Sequence, residues 1–156
     1  MKIQQRNNII SVFLILIIIA LSYVLFDSIV TPWQKELAKR KLSDDTRFRM
    51  TLVRDALINF QARHPEGKFP STLDSLVIFL KTDSLMLVKA SDLFTEPGRG
   101  YNPDSLIFSH RPPYEKFVYS VNDTIRPPLY LLKDPGSDDA IGSLERITLL
   151  NAPNWQ

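Results

Sequence analysis

Four residues near the end of the chain have the types and the closeness to do chemistry together. Asp134, Ser137, Asp138 and Asp139 fall in the run Asp134-Pro135-Gly136-Ser137-Asp138-Asp139. Carboxylate and hydroxyl oxygens are hard ligands, and a flexible turn that gathers them can hold Ca²⁺. Their spacing does not follow the EF-hand pattern. A hydrated, Asp-rich turn is the other reading, because Asp, Pro and Gly are turn formers in their own right.

Other chemistry is sparse. The only histidines are His64 and His110. His64 falls at an expected helix end, where an imidazolium suits the dipole. Ser109 and His110 are adjacent in an expected loop, which does not place one to activate the other. The chain has no Gly-x-Ser-x-Gly, no phosphate-binding glycine loop and no His/Cys metal set. It has no cysteine, so neither a disulfide nor lipidation on a thiol is available. The expectation is a protein that is not an enzyme, with no small-molecule substrate evident. The basic residues are few and mixed with acids, unlike a nucleic-acid module.

The elements that must position these residues follow from glycine and proline. No Gly precedes Gly67, and Pro32 is the only Pro before Pro65. The first third is free to be one long helix, and the remainder must be a small, turn-rich head. Ile9 to Phe26 is an uncharged run of eighteen residues. As a helix it spans roughly 27 Å, close to the hydrocarbon thickness of a bilayer. Ile29 and Val30 can extend it past Asp27, and Tyr23 and Trp33 suit the interface. A cleaved signal peptide is the rival reading, with Lys2 and Arg6 as its basic start and Ala20-Leu21-Ser22 as its cleavage site. The apolar run continues through Phe26 without a break, which favours a retained anchor. The expected divisions are an anchor at 1–33, a helical stem at 34–63 and an α+β head at 64–156.

In the stem, Met50, Val53, Leu57 and Phe60 form one helical stripe. That stripe is either a seam with another subunit or the place where the head packs on its own helix; the second reading is favoured. From Gln34 to Arg63 there are eight basic and four acidic residues, net +4, and from His64 to Gln156 nine basic and twelve acidic, net −3. A basic stem beside an apolar span can sit near anionic headgroups. It can equally meet the acidic head of another copy or remain a solvated face.

Beyond Gly67, Pro70 and Ser71 start a second helix, with Ser71 and Asp74 spaced as a capping box and Leu73, Leu76, Val77 and Leu80 on one face. Leu85 to Val88 is helix or strand. Ser91 to Ser105 reads as a long loop with turns at Glu96-Pro97-Gly98 and Asn102-Pro103-Asp104. Strands are expected at Leu106–Phe108, Phe117–Val121, Leu129–Leu132 and Arg146–Leu150. The Arg-Pro-Pro triplets at Arg111 and Arg126 read as strand-entry spacers.

A long N-terminal membrane helix, a short helix and an antiparallel sheet of three or four strands resemble the layout of type IV pilins. In detail the chain is most similar to the major pseudopilins of type II secretion. The similarity runs through Pro32, Ala56-Leu57 and Phe60, Gly67-Lys68-Phe69-Pro70, the helix at Leu73–Leu80, Phe117-Val118-Tyr119, Tyr130-Leu131-Leu132, the acidic loop and Asn151-Ala152-Pro153-Asn154-Trp155. It covers nearly the whole chain. It implies a pilin-like α+β fold, a calcium-binding acidic loop at Asp134, Ser137, Asp138 and Asp139, and homo- or hetero-oligomeric assembly in the bacterial inner membrane.

The N-terminus departs from that family. No glycine stands before the apolar run for prepilin peptidase, and Ile15 occupies the place of the family's early glutamate. An intact N-terminus is therefore expected, without the device that pilins use to polymerise. A plain count of flanking Lys and Arg would place the head in the cytoplasm. The pilin-like layout and the acids Glu36, Asp44 and Asp45 beside the second basic cluster favour the extracytoplasmic side.

Overall fold

A computed structural model describes residues 2–155, with side chains from residue 10 onward. The side chains of Lys2, Arg6 and Ile9, and both terminal residues, lie outside the described residues.

The glycine-free third is one helix, α1 (Lys2–Arg63), which runs through Pro32. Proline lacks the N–H that would bond the carbonyl of Ser28. The chain divides into two compact units, 1–41 and 42–156. The division falls inside the expected stem, because the last third of α1 belongs to the head. The physical reason is its apolar stripe. Met50, Val53 and Leu57 are completely buried, and Phe60 packs half-buried against the same core. The subunit-seam reading of these four residues is therefore corrected: they face the protein's own core.

The helix stops where Gly67 takes φ +63° and its N–H closes a turn onto the His64 carbonyl. Next come α2 (Leu73–Thr82), α3 (Ser84–Leu93) and a single turn, α4 (Pro103–Leu106). The N-cap of α2 is Thr72 rather than Ser71; its hydroxyl accepts from Ser75 N–H at 3.2 Å. Leu73, Leu76, Val77 and Leu80 are its buried face, as their spacing requires. Asp83 separates α2 from α3, capping Leu85 and Met86. The undecided segment around Leu85–Val88 is thus helix. The expected loop is shortened at its start by α3 and at its end by α4, which Asn102 caps.

The sheet is antiparallel with order β1 (Val118–Asn122), β2 (Leu129–Lys133), β3 (Ala140–Gly142). Tyr119 pairs with Leu132, Val121 with Tyr130, and Leu132 with Ile141. These alternate residues turn one face to the core, since strand side chains repeat every two positions. The third strand is Ala140–Gly142. Arg146–Leu150 is not a strand; a 3-10 turn occupies Ile147–Leu149. Residues around Phe108 make an isolated bridge to Lys116 rather than a strand. Gly142 is required at its position: φ is +88°, and a Cβ there would lie 2.3 Å from the Tyr130 carbonyl oxygen.

The outer edge of β3 is covered by the C-terminal tail. Gly142 N–H donates to the Ala152 carbonyl and Asn154 N–H to the Ala140 carbonyl. The Asn154 side chain accepts from Ala140 N–H at 2.9 Å and donates to the Asp138 carbonyl at 2.6 Å.

Candidate functional site

Among the described residues, two features can carry function: the apolar run of α1, and two polar clusters that fasten the last third of α1 into the head. In the first, the apolar window has no buried residue and a mean hydropathy of 2.6, so it meets the length and composition of a membrane span. Phe13, Tyr23 and Phe26 are 63%, 73% and 67% exposed. Asp27 is the acid nearest to the run, and it accepts a hydrogen bond from the Thr31 hydroxyl one turn on, at 2.8 Å.

The two clusters flank the core stripe. At about 100° per residue, Ser43 and Arg47 project to one side of Met50, Val53 and Leu57, and Asp45 and Arg49 to the other. The helix is therefore gripped along both borders of its apolar face.

On the first border, Arg47 makes a two-point pair with Asp139, Nε to Oδ2 at 3.1 Å and Nη2 to Oδ1 at 2.9 Å. Arg111, from the first Arg-Pro-Pro triplet, donates to Asp134 Oδ2 at 2.6 Å and to Asp139 Oδ2 at 2.7 Å. It also donates to the Ser43 hydroxyl. Ser137 Oγ donates to Asp134 Oδ2 at 2.8 Å and accepts from Asp139 N–H at 3.2 Å. Burial pushes the Asp139 carboxyl up, but the hydrogen bonds and charges of Arg47 and Arg111 outweigh it and hold it below the usual carboxylate range. Trp155 completes this border, with its ring 5.5 Å from the Arg47 guanidinium.

The sequence placed Asp134, Ser137, Asp138 and Asp139 together, and three of them do share a network. Asp138 is exposed and contributes its carbonyl to Asn154. A Ca²⁺ ion wants six to eight oxygens around one point. Here the Asp134 and Asp139 carboxylates are taken by guanidinium groups, and Asp134 Oδ1 is the one buried carboxylate oxygen left without a partner among the described residues. No cluster of three or more acidic or histidine residues among the described residues is arranged to hold a metal. As arranged, the loop does not fit Ca²⁺; two arginines supply its positive charge.

On the second border, buried Arg49 reaches Glu96 through Nε and, at 2.8 Å, through Nη2. Its Nη1 donates to the carbonyls of Ser105 at 3.0 Å and Phe108 at 2.8 Å. His110 Nε2 lies 3.1 Å from Glu96 Oε2, and Arg99 spans from His110 to Asp45, 3.5 Å away. Burial and the charge of Arg49 hold His110 below its ordinary value, against the pull of Glu96. Burial opposes ionisation of Glu96, yet its bond and ion pair with Arg49 keep it lowered.

Ser109 and His110 are engaged by different partners. Ser109 Oγ accepts from Arg111 N–H at 3.1 Å, while the neighbouring His110 ring is held by Glu96 and Arg99. The cleft beside Phe48, Pro97 and His110 has about 90 Å³, and a wider one bordered by Arg49, Ser105, Phe108, His110 and Tyr114 has about 450 Å³; only the second has the volume of an ordinary ligand site. What the arrangement does is fix the loops 96–110 and 134–139 on α1.

Sequence reasoning missed the arginines. One signal was present: Arg49 stands three residues after Thr46 and four before Val53, at the border of the buried stripe. A cation on that face must meet a buried partner. No family model matches this chain, and neither a curated protein nor a solved structure matches it.

Proposed function

We propose that this chain is a single-pass membrane-anchored structural subunit of a pseudopilin-like secretion or pilus-type envelope assembly. The observation that carries the reading is the union of an uncovered apolar helix with a small α+β head built on that helix's own continuation. An apolar segment with no protein cover needs lipid or neighbouring helices around it. The head is fastened to α1 by buried ion pairs and a shared core, which suits a part that holds a position. It has no catalytic role in this reading, and it lies on the extracytoplasmic side of the bacterial inner membrane, with the N-terminus inside.

A second reading has its own support. Ile15 is an exposed aliphatic residue in the middle of the apolar window, where the resemblance would place a glutamate. That favours a non-polymerising accessory protein with a pilin-like head.

Intact mass of the membrane-extracted protein, followed by cross-linking and co-purification, separates the two. Subunits recovered in extended homo- or hetero-oligomers carry the first reading. A monomer with an unprocessed N-terminus and no envelope partner carries the second. A head reporter active only in the cytoplasm removes the extracytoplasmic placement.

A further inference from the structure

Just beyond the apolar run of α1, Lys35, Lys39, Arg40 and Lys41 are all exposed. Projected at about 100° per residue, they leave no gap wider than about 120° around the helix axis. They form a ring rather than a stripe. A protein partner docking on one side would call for charges three and four residues apart on one face. A membrane plane crossed by a helix presents headgroups on every side at one depth.

The axial position agrees. Lys35 stands about 7.5 Å of helical rise beyond Val30, and the ring is about 9 Å deep. The polar layer on each side of a bilayer is roughly 5–8 Å thick, and long basic side chains reach back toward it. Trp33, 64% exposed, lies between the apolar run and the ring, where an indole settles. Glu36 is the single acid within the ring, paired to Arg40 at 3.3 Å. Both partners are well exposed, so that pair is weak and Arg40 stays available. Asp27 bounds the ring on the membrane side, and Asp44 and Asp45 bound it on the other.

We infer that Lys35, Lys39, Arg40 and Lys41 form a collar that gathers lipids with anionic headgroups around α1. The inference rests on the membrane-span reading and goes beyond it, because a span needs no lipid selectivity. The source of the anion is the bilayer itself.

Trp33 is the reporter. The full chain carrying Trp155→Phe is reconstituted in phosphatidylcholine vesicles containing an equal mole fraction of brominated phosphatidylglycerol or brominated phosphatidylcholine. Flotation of the vesicles is scored alongside. Quenching of Trp33 by the brominated anionic lipid should exceed that by the neutral one by about twofold or more. The excess should vanish with Lys35→Gln, Lys39→Gln, Arg40→Gln and Lys41→Gln combined, and shrink at high salt. Should Trp155→Phe fail to fold, Trp33→Phe supplies the Trp155 background to subtract. Equal quenching by the two lipids in a chain that floats overturns the collar and leaves the span standing. An anionic preference that survives the four substitutions overturns the assignment to these residues. A chain that floats with neither vesicle overturns the span and the collar with it.

Discussion

Arg111 bridges Asp134 and Asp139 with one guanidinium, at 2.6 and 2.7 Å, and Asp134 is wholly buried. Removing one partner of a buried pair strands the other charge. Arg111→Ala should therefore destabilise the protein by about 3–5 kcal/mol. Arg47→Ala should cost about 1 kcal/mol, because Arg47 is more exposed. Arg111→Ala combined with Asp134→Ala should cost clearly less than the two single changes added together. Denaturant unfolding of the full chain in detergent measures this; strict additivity would refute the bridge.

The same bridge predicts the response to calcium. With both carboxylates engaged by arginine, millimolar Ca²⁺, the range of weak extracellular sites, should leave the melting temperature of the natural chain unchanged. Arg111→Ala frees Asp134 and exposes Asp139, so Ca²⁺ should raise the melting temperature of that variant by mass action. A calcium-dependent rise in the natural chain that Asp138→Ala abolishes would reinstate the loop as a metal site.

His110 gives a pH dependence with a definite sign. Its folded value lies below its ordinary value, through burial first and then the charge of Arg49, with Arg99 adding to the effect and Glu96 opposing. The unfolded chain, with a value of about 6.5, therefore binds the proton more readily than the folded one. The neutral ring's contribution is fully present above about pH 6.5 and declines as pH falls toward the folded value. His110→Gln should flatten stability across that interval. Glu96 and Asp139 have lowered values, so their contributions go only at more acidic pH. An identical pH profile for His110→Gln would contradict this.

Leu57 distinguishes a core from a seam. It is completely buried, so Leu57→Ala should cost about 2–5 kcal/mol at every protein concentration. A seam residue would instead alter association and leave the dilute protein's melt unmoved.

Gly142 is the backbone counterpart. Its φ is +88°, and the Tyr130 carbonyl oxygen lies 2.3 Å from the point a Cβ would occupy, so Gly142→Ala should cost at least about 1–3 kcal/mol. It should also loosen the tail that pairs with β3. Hydrogen exchange at Gly142 and Asn154 should quicken in this variant; unchanged protection would count against the close approach.

How far the fold was legible depended on the range of the forces. α1, the buried face of α2, and strands β1 and β2 come from local periodicity and turn residues, and these are present in the sequence. β3 is three residues long and follows the acidic loop directly, too short to show alternation; its partner Leu131–Lys133 and the covering tail define it. The acidic loop was visible as a cluster, but its partners were not. Arg47 and Asp139 are 92 residues apart, and no spacing rule connects such positions. Arg111 and Arg126 head the same triplet, yet only Arg111 reaches a buried carboxylate; that difference is made by tertiary placement.

The tail that closes the edge of β3 also bears on the order of biosynthesis. Asn154 binds Asp138 and Ala140, and Trp155 packs on Arg47, so the first and last pieces of the head complete one another. A nascent chain emerges N-terminus first, with Met50, Val53 and Leu57 bare and Arg49 awaiting Glu96. Until Leu73, Leu76, Met86 and Phe94 follow and join its core, the half-made protein displays an adhesive helix of the kind that invites aggregation. The edge of β3 stays open until the stretch from Ala152 to Asn154 follows and pairs with Ala140 and Gly142.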